Sequence, residues 1–179
     1  MPFANEKKMY LAKQDKSKKG DIDDKVIPLL KTINAQDNYY TTSSCSGRVY
    51  LWTGTGKKNE TEWIKVSHDL IDEAFFSISE GKGVVWLRLE AFILHVACQD
   101  MKAANELLEK AKQIYKKSCI LSASNKIIIE IRGSELVEMP LYKDGKLVYC
   151  GELGWLVTTI NQKLGQIWGG MARFQKLML

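Results

Sequence analysis

The 179-residue chain is 45% hydrophobic and 26% charged, with a formal net charge of +5 from 26 basic and 21 acidic side chains. That length carries an ordinary hydrophobic core without disulfide or metal staples, and the composition excludes a disordered or collagen-like chain. In residues 1–20, six lysines (Lys7, Lys8, Lys13, Lys16, Lys18, Lys19) stand against Glu6 and Asp15, so +4 of the charge sits there and the rest is close to neutral.

A basic arm beside a neutral body points to an anionic polymer as partner; a solvated helix face is the plain alternative. The cysteines Cys45, Cys98, Cys119 and Cys150 lie far apart with no Cys-x-x-Cys pair. This spacing encodes neither a zinc knuckle nor a redox pair, so reduced, mainly structural thiols and no metal are expected. The N-terminus lacks the apolar run of a signal peptide, and nowhere do eighteen apolar residues run together. A soluble, cytoplasmic protein is the expectation.

In chain order, Phe3 to Lys19 reads as a lysine-rich helix whose only large apolar residues are Phe3, Met9 and Tyr10, stopped by Gly20. Asp21 is expected to cap a second helix with Ile22, Val26, Leu29, Leu30 and Ile33 at helical spacing, Pro28 either kinking it or lying in a shifted first turn. Tyr39–Ser44 and Arg48–Thr53 read as two strands separated by a tight turn, Ser-Cys-Ser-Gly, in which Gly47 supplies an unusual backbone angle. Tyr39 to Arg48 holds five Ser and Thr hydroxyls, a thiol, a glycine and a guanidinium. A core does not need that composition, because each hydroxyl taken from water requires a partner. The stretch is therefore expected to carry binding chemistry.

After an exposed loop, Gly54–Thr61, a third strand at Trp63–Ser67 ends in His68 and Asp69, directly before an expected helix from Asp69 to Ser79. Gly81-x-Gly83 precedes a strand instead of following one, which excludes a dinucleotide fingerprint. Val84–Cys98 is too long for one average strand and reads as two, bent near Ala91, with Arg88 and Glu90 sharing the surface opposite Leu87 and Leu89. Asp100 is placed to cap a helix, Met101–Tyr115, with a buried stripe of Met101, Ala104, Leu108, Ala111 and Tyr115.

Ser118–Ala123 and Lys126–Arg132 follow as strands, and Leu136–Tyr142 pairs with Lys146–Cys150 across Asp144-Gly145. A last helix, Glu152–Leu177, puts Leu156, Ile160, Leu164, Ile167, Met171, Phe174 and Met178 on one face, with a kink expected at Gly169-Gly170. The expected architecture is a single α+β domain over residues 1–179, with residues 1–20 as a lysine-rich helix and 21–179 as the body. A mixed, largely antiparallel sheet packs against helices, and the fold is not of Rossmann type.

With these residues placed, the chain resembles the tRNA wybutosine-synthesizing protein 3 family. The signs are Lys19-Gly20-Asp21-Ile22-Asp23, Pro28-Leu29-Leu30, the signature Thr41-Thr42-Ser43-Ser44-Cys45-Ser46-Gly47-Arg48, then Ser67-His68-Asp69, Trp86-Leu87-Arg88-Leu89-Glu90, Ile93-Leu94-His95-Val96-Ala97-Cys98, Glu130-Ile131-Arg132 and Asn161. Ala91 departs from a proline usual in the family, and Tyr115-Lys116-Lys117-Ser118-Cys119-Ile120 departs from its Gly-Phe-Lys-Arg-Ser-Gly-Ile run. The resemblance implies methyl transfer from S-adenosylmethionine to a ring nitrogen of the tricyclic wyosine-type base beside the anticodon of tRNA-Phe, a 4-demethylwyosine derivative, in wybutosine biosynthesis.

Methyl transfer from a sulfonium is an in-line displacement that needs alignment and a destination for one proton. His68 is the first candidate for proton acceptor, with Asp69 to orient or replace it; the plain alternative makes Asp69 a helix cap. Ser43 and Ser44 can hydrogen-bond cofactor or base, and Arg48 can hold a phosphate or carboxylate. Cys45 and Gly47 complete that turn, the thiol as a ligand contact more than as a nucleophile. Glu90 is placed to bind ribose hydroxyls. His95 and Asn161 are further binding candidates, each with a buried, hydrogen-bonded structural role as the alternative. One of Tyr39, Tyr40, Trp52 and Trp63 is expected to stack on a base. Lys7, Lys8, Lys16, Lys18 and Lys19 are the expected phosphate tether. Competing readings are a noncatalytic RNA-binding module and a small-molecule transferase or hydrolase using Cys45.

Overall fold

The structure, a computed structural model, describes residues 2–14, 22–55, 60–78 and 83–179. Strand pairing is antiparallel throughout, and the strands fall into two sheets belonging to two compact units. The α+β class and the absence of a Rossmann arrangement are as expected; the single mixed sheet is replaced by two antiparallel ones.

The first unit is drawn from Met1–Ser46, Phe92–Ser134 and Trp168–Leu179. Helix α1 (Phe3–Gln14) leads into α2 (Ile27–Asn34), where Pro28 lies in the first turn, so the shifted start and not a kink is what forms. The cap expected of Asp21 and the stop at Gly20 lie outside the described residues. The sheet has the order β1 (Tyr39–Cys45), β5 (Ile93–Cys98), β7 (Ile127–Arg132), β6 (Cys119–Ala123). On one face Leu94, Val96, Ile129 and Ile131 are fully buried, as period-two alternation requires.

Helix α3 (Met101–Lys112) packs on β7 and begins at Asp100, whose carboxylate accepts the Ala103 N–H at 2.8 Å. Ala104, Ala111 and Tyr115 of the expected stripe are buried, joined by Ala103 and Leu107, while Leu108 is half-buried and Met101, at the first helical position, is exposed.

The second unit comprises Gly47–Ala91 and Glu135–Ile167. Its sheet runs β3 (Thr61–Ser67), β2 (Arg48–Gly54), β4 (Val84–Glu90), β8 (Leu136–Lys143), β9 (Lys146–Leu147). The Asp144-Gly145 turn forms with both residues at positive φ, 49° and 75°, as a two-residue hairpin demands. Val49, Leu51, Val85, Leu87 and Leu89 bury one face, leaving Arg48, Tyr50, Arg88 and Glu90 on the other.

Four expectations change. The strands flanking Ser-Cys-Ser-Gly are not a hairpin: β1 pairs with β5, and β2 pairs with β3 and β4. The Ser46 N–H is accepted by the Asp23 carboxylate at 2.7 Å, and Gly47 takes φ +90°, so the segment is held by side chains and not by a turn ladder. The two halves of Val84–Cys98 likewise join different sheets.

The helix expected from Asp69 reduces, among the described residues, to a 3-10 turn at Glu73–Phe76 capped by Asp72. The Asp72 carboxylate accepts the Phe75 N–H at 3.2 Å, so Asp72 and not Asp69 is the cap. Finally, α4 (Leu153–Met178) runs unbroken through Gly169-Gly170, with all seven residues of its expected apolar face buried. A Cβ on Gly170 would stand 3.0 Å from the Tyr115 hydroxyl, so this glycine admits a ring and does not kink the helix.

Candidate functional site

In the first unit the signature strand β1 presents Ser43 to β5. The register pairs Ser43 with His95, and His95 with Glu130 on β7, so three polar side chains form one row across the sheet. The Ser43 hydroxyl lies 2.7 Å from His95 Nδ1, and His95 Nε2 lies 3.0 Å from a Glu130 oxygen. The His95 hydrogen bond, against a smaller burial effect and with help from Arg132, holds the Glu130 carboxyl below its usual range. Ser43 is exposed while Glu130 is mostly covered, so the row runs from open surface inward to a charge. Such an order can accept a proton at its outer end and stabilise the resulting imidazolium from behind. Glu130 was missed as a site residue in the sequence; the available signal was its place as the acid within an otherwise apolar alternation.

The remaining signature residues divide. Ser44 and Cys45 are half-buried at the end of β1, and the Ser46 hydroxyl is fully buried with no hydrogen-bond partner among the described residues. In the lysine arm, the Lys7 ammonium donates to the Gln36 carbonyl at 2.7 Å, and burial lowers its pKa. Lys8 is exposed; Lys16, Lys18 and Lys19 lie outside the described residues. Helix α1 is fixed to the signature strand by Tyr10, whose hydroxyl donates to the Thr42 carbonyl at 2.8 Å, and by Phe3 and Tyr10 packing on Tyr40.

In the second unit, β2, β3 and β4 bring Arg48 and Glu90 together in a cleft of about 570 Å³. Register sets Arg48 opposite Glu90 and Tyr50 opposite Arg88. Arg48 grips one Glu90 oxygen through Nε and Nη2 at 2.9 and 2.7 Å. Tyr50 donates to the other oxygen at 2.8 Å, and Arg88 Nε sits 3.2 Å from it. Burial works to raise the Glu90 carboxyl, but the hydrogen bonds from Arg48 and Tyr50 and the two guanidinium charges outweigh it and hold it low. Burial, with the Glu90 contact, pushes the Tyr50 phenol up to about 12, so it stays a donor. Both Glu90 oxygens are thus spoken for, which argues against its expected grip on ribose hydroxyls. Tyr50 is a cleft residue that the sequence reading did not single out, whereas Arg88 stands beside Glu90 on the surface they were expected to share.

Of the four aromatic candidates, Tyr39, Tyr40 and Trp52 are buried and Trp63 is 48% exposed. Arg48 lies over the Trp63 ring at 4.4 Å, and Tyr50 stacks beside it at 5.2 Å. His68 and Asp69 stand at the end of β3, His68 half-buried and Asp69 exposed. Asn161 is committed at both ends of its amide to the backbone of Ile71, accepting its N–H at 2.9 Å and donating to its carbonyl at 2.8 Å. That double contact makes it a clamp on the chain after His68 and Asp69.

Comparison with known proteins agrees with the signature. A sequence model described as Methyltransferase TYW3 matches residues 5–179. A Xenopus laevis protein, "tRNA wybutosine-synthesizing protein 3 homolog", is 33% identical over 98% of this chain and 74% of its own length. A Methanocaldococcus jannaschii protein named "tRNA(Phe) 7-((3-amino-3-carboxypropyl)-4-demethylwyosine(37)-N(4))-methyltransferase" is 36% identical over 92% of this chain and 90% of its own. Among solved structures, the PH1069 protein of Pyrococcus horikoshii superposes with a TM-score of 0.89 at 30% identity, covering 100% of this chain and 99% of that one.

Proposed function

The chain belongs to the TYW3 methyltransferase family, and from that premise we propose that it moves the methyl group of S-adenosylmethionine onto a ring nitrogen of the demethylated wyosine base of tRNA-Phe, in the cytoplasm. Residues 1–179 serve this as one functional domain. The substrate is taken from the archaeal relative's name, and the signature strand supports the reading by its chemistry.

The observation that carries the chemical part is the Ser43–His95–Glu130 row, with its contacts of 2.7 and 3.0 Å. The donor set of the signature fits the cofactor's polar groups. Ser43 and Ser44 offer hydroxyls, and the buried Ser46 hydroxyl has no partner among the described residues. These residues would hold S-adenosylmethionine, with Cys45 as a neighbouring contact. When bound, the cofactor supplies an electrophilic methyl group.

The protein's own task is to orient the base and to receive the proton its nitrogen gives up. Ser43 Oγ accepts that proton and passes its own to His95 Nδ1, and Glu130 stabilises the imidazolium at Nε2. A second reading keeps His68 as the acceptor with Asp69 beside it; it is favoured by their place at a strand end, with the following chain held by Asn161. Lys8 and the other lysines of the arm, Lys7, Lys16, Lys18 and Lys19, are proposed to tether phosphates.

The test is a mass measurement on tRNA carrying the demethylated base, incubated with protein and S-adenosylmethionine. A gain of one methyl is expected, and no gain refutes the reaction. Ser43→Ala and His95→Ala should each lower the single-turnover rate by about 10²-fold or more. If only His68→Ala does so, the proton goes to the second site.

A further inference from the structure

The cleft on the β3–β2–β4 face has a composition that the methyl-transfer chemistry does not use. We propose that it is a stacking seat for an unpaired nucleotide of the RNA strand that carries the target base, its ring on the Trp63–Arg48 platform and its phosphate on the guanidiniums. This rests on the reading of the protein as a tRNA methyltransferase and adds a second point of grip on that RNA.

Four observations converge. Trp63 keeps 48% of its surface open, its ring stacked beside Tyr50 at 5.2 Å with the Arg48 guanidinium over both, 4.4 Å from Trp63 and 5.3 Å from Tyr50. A large indole held in place yet open offers a base a flat, apolar partner, and the Arg48 guanidinium above it offers a second. Glu90 orients Arg48, and Arg88 lies between Glu90 at 3.2 Å and Glu138 at 3.4 Å, so two guanidiniums set by carboxylates line the cleft. Nearby, the Trp52 indole N–H is buried with no hydrogen-bond partner among the described residues, a donor that suits an acceptor on a ligand. Finally, a volume of about 570 Å³ lies within the range of roughly 300–1,000 Å³ that seats small ligands.

A ring to stack, an acceptor and an anionic group together describe a nucleotide. The guanidiniums select between nucleotide sources: a phosphate of a linked strand gives Arg48 and Arg88 an anion to pair with, whereas the adenosyl group of the methyl donor brings a sulfonium, which they do not bind. Because Glu90 is saturated by Arg48, Tyr50 and Arg88, it offers that sulfonium little compensation.

The experiment uses the whole chain and an anticodon stem-loop RNA with 2-aminopurine in its loop, whose fluorescence is quenched on stacking. Wild-type protein should quench it; Trp63→Ala should lose the quench and roughly tenfold or more in RNA affinity, while Trp63→Phe keeps most of both. Calorimetric affinity for S-adenosylmethionine should be the same in all three, which also shows that the variants are folded. RNA affinity of Trp63→Ala within twofold of wild type overturns the proposal, as does a variant that loses S-adenosylmethionine instead. If Trp63 governs RNA binding but tRNA gains no methyl, the seat stands and the proposed reaction falls.

Discussion

Ser43 and His95 meet across neighbouring strands, hydroxyl to Nδ1 at 2.7 Å, and the opposite nitrogen of the same ring is held by Glu130 at 3.0 Å. Each member comes from a different strand, so the row exists only because β1, β5 and β7 share one register. Glu130→Gln keeps a hydrogen-bonding group but removes the charge behind the ring. In a proton-accepting row, that variant should methylate several-fold more slowly in single turnover while binding S-adenosylmethionine as before. A purely structural row predicts an unchanged single-turnover rate. Stability should change by less than about 1 kcal/mol, as for other partly exposed pairs.

Glu90 is the opposite case, an acid whose partners depend on it. Glu90→Ala leaves Arg48 and Tyr50 without their acceptor, while Arg88 keeps Glu138, and a loss of about 1–2 kcal/mol is expected from urea unfolding, the lower part of the usual range because the side chain is 28% exposed. The pH dependence follows in sign. The folded-state pKa of Glu90 is lowered, so its contribution is fully present above the ordinary carboxylate pKa and fades as pH falls through the lowered one. Wild type should therefore lose more stability than Glu90→Ala on acidification below about pH 4, near the unperturbed carboxylate value.

Gly47 is required by backbone and by space. At φ +90°, an added Cβ would sit 3.2 Å from the Glu90 carbonyl oxygen and 3.1 Å from Ile167 Cγ2. The carbonyl belongs to the backbone of β4 and cannot swing away. Gly47→Ala should cost about 1–3 kcal/mol, read as a melting temperature lower by several degrees. A neutral substitution would mean that the link between β1 and β2 relaxes more freely than its contacts allow.

What the sequence made legible follows the range of the interactions. Period-two and period-3.6 patterns are local, so β4, β7, the Asp144-Gly145 hairpin and the face of α4 could be read directly, as could the Asp100 cap. Sheet membership is not local. Nothing between Cys45 and Arg48 announces that the two strands part, because the Asp23 carboxylate that holds the Ser46 N–H lies 23 residues upstream. The helix expected at Asp69 starts later, as a 3-10 turn capped by Asp72, whose carboxylate accepts the Phe75 N–H. At the site, the signature located Ser43 and Arg48, but the pairing of Ser43 with His95 and Glu130, and of Arg48 with Glu90, is set by cross-strand register, which single-strand patterns do not encode.

Three buried acids of high pKa define the alkaline limit. Burial is the leading cause for each, holding Tyr39, Tyr50 and the Cys98 thiol up at about 12. Tyr39 donates to the Ala103 carbonyl at 3.0 Å and Tyr50 to Glu90 at 2.8 Å, so each hydroxyl is used as a donor in the folded state. The unfolded chain ionises its tyrosines near about pH 10 and its thiols near about 8.5. Between those values and about 12, the folded state binds more protons than the unfolded one, so stability falls as pH rises. Unfolding midpoints should accordingly stay level to about pH 8 and decline steadily above it. Tyr39→Phe, which removes one ionisation and one buried donor, should lower stability near neutral pH by about 1 kcal/mol and flatten the decline above pH 10. An unchanged slope in that variant would place the alkaline sensitivity on Tyr50, Cys98 and Tyr40, whose phenol burial also raises.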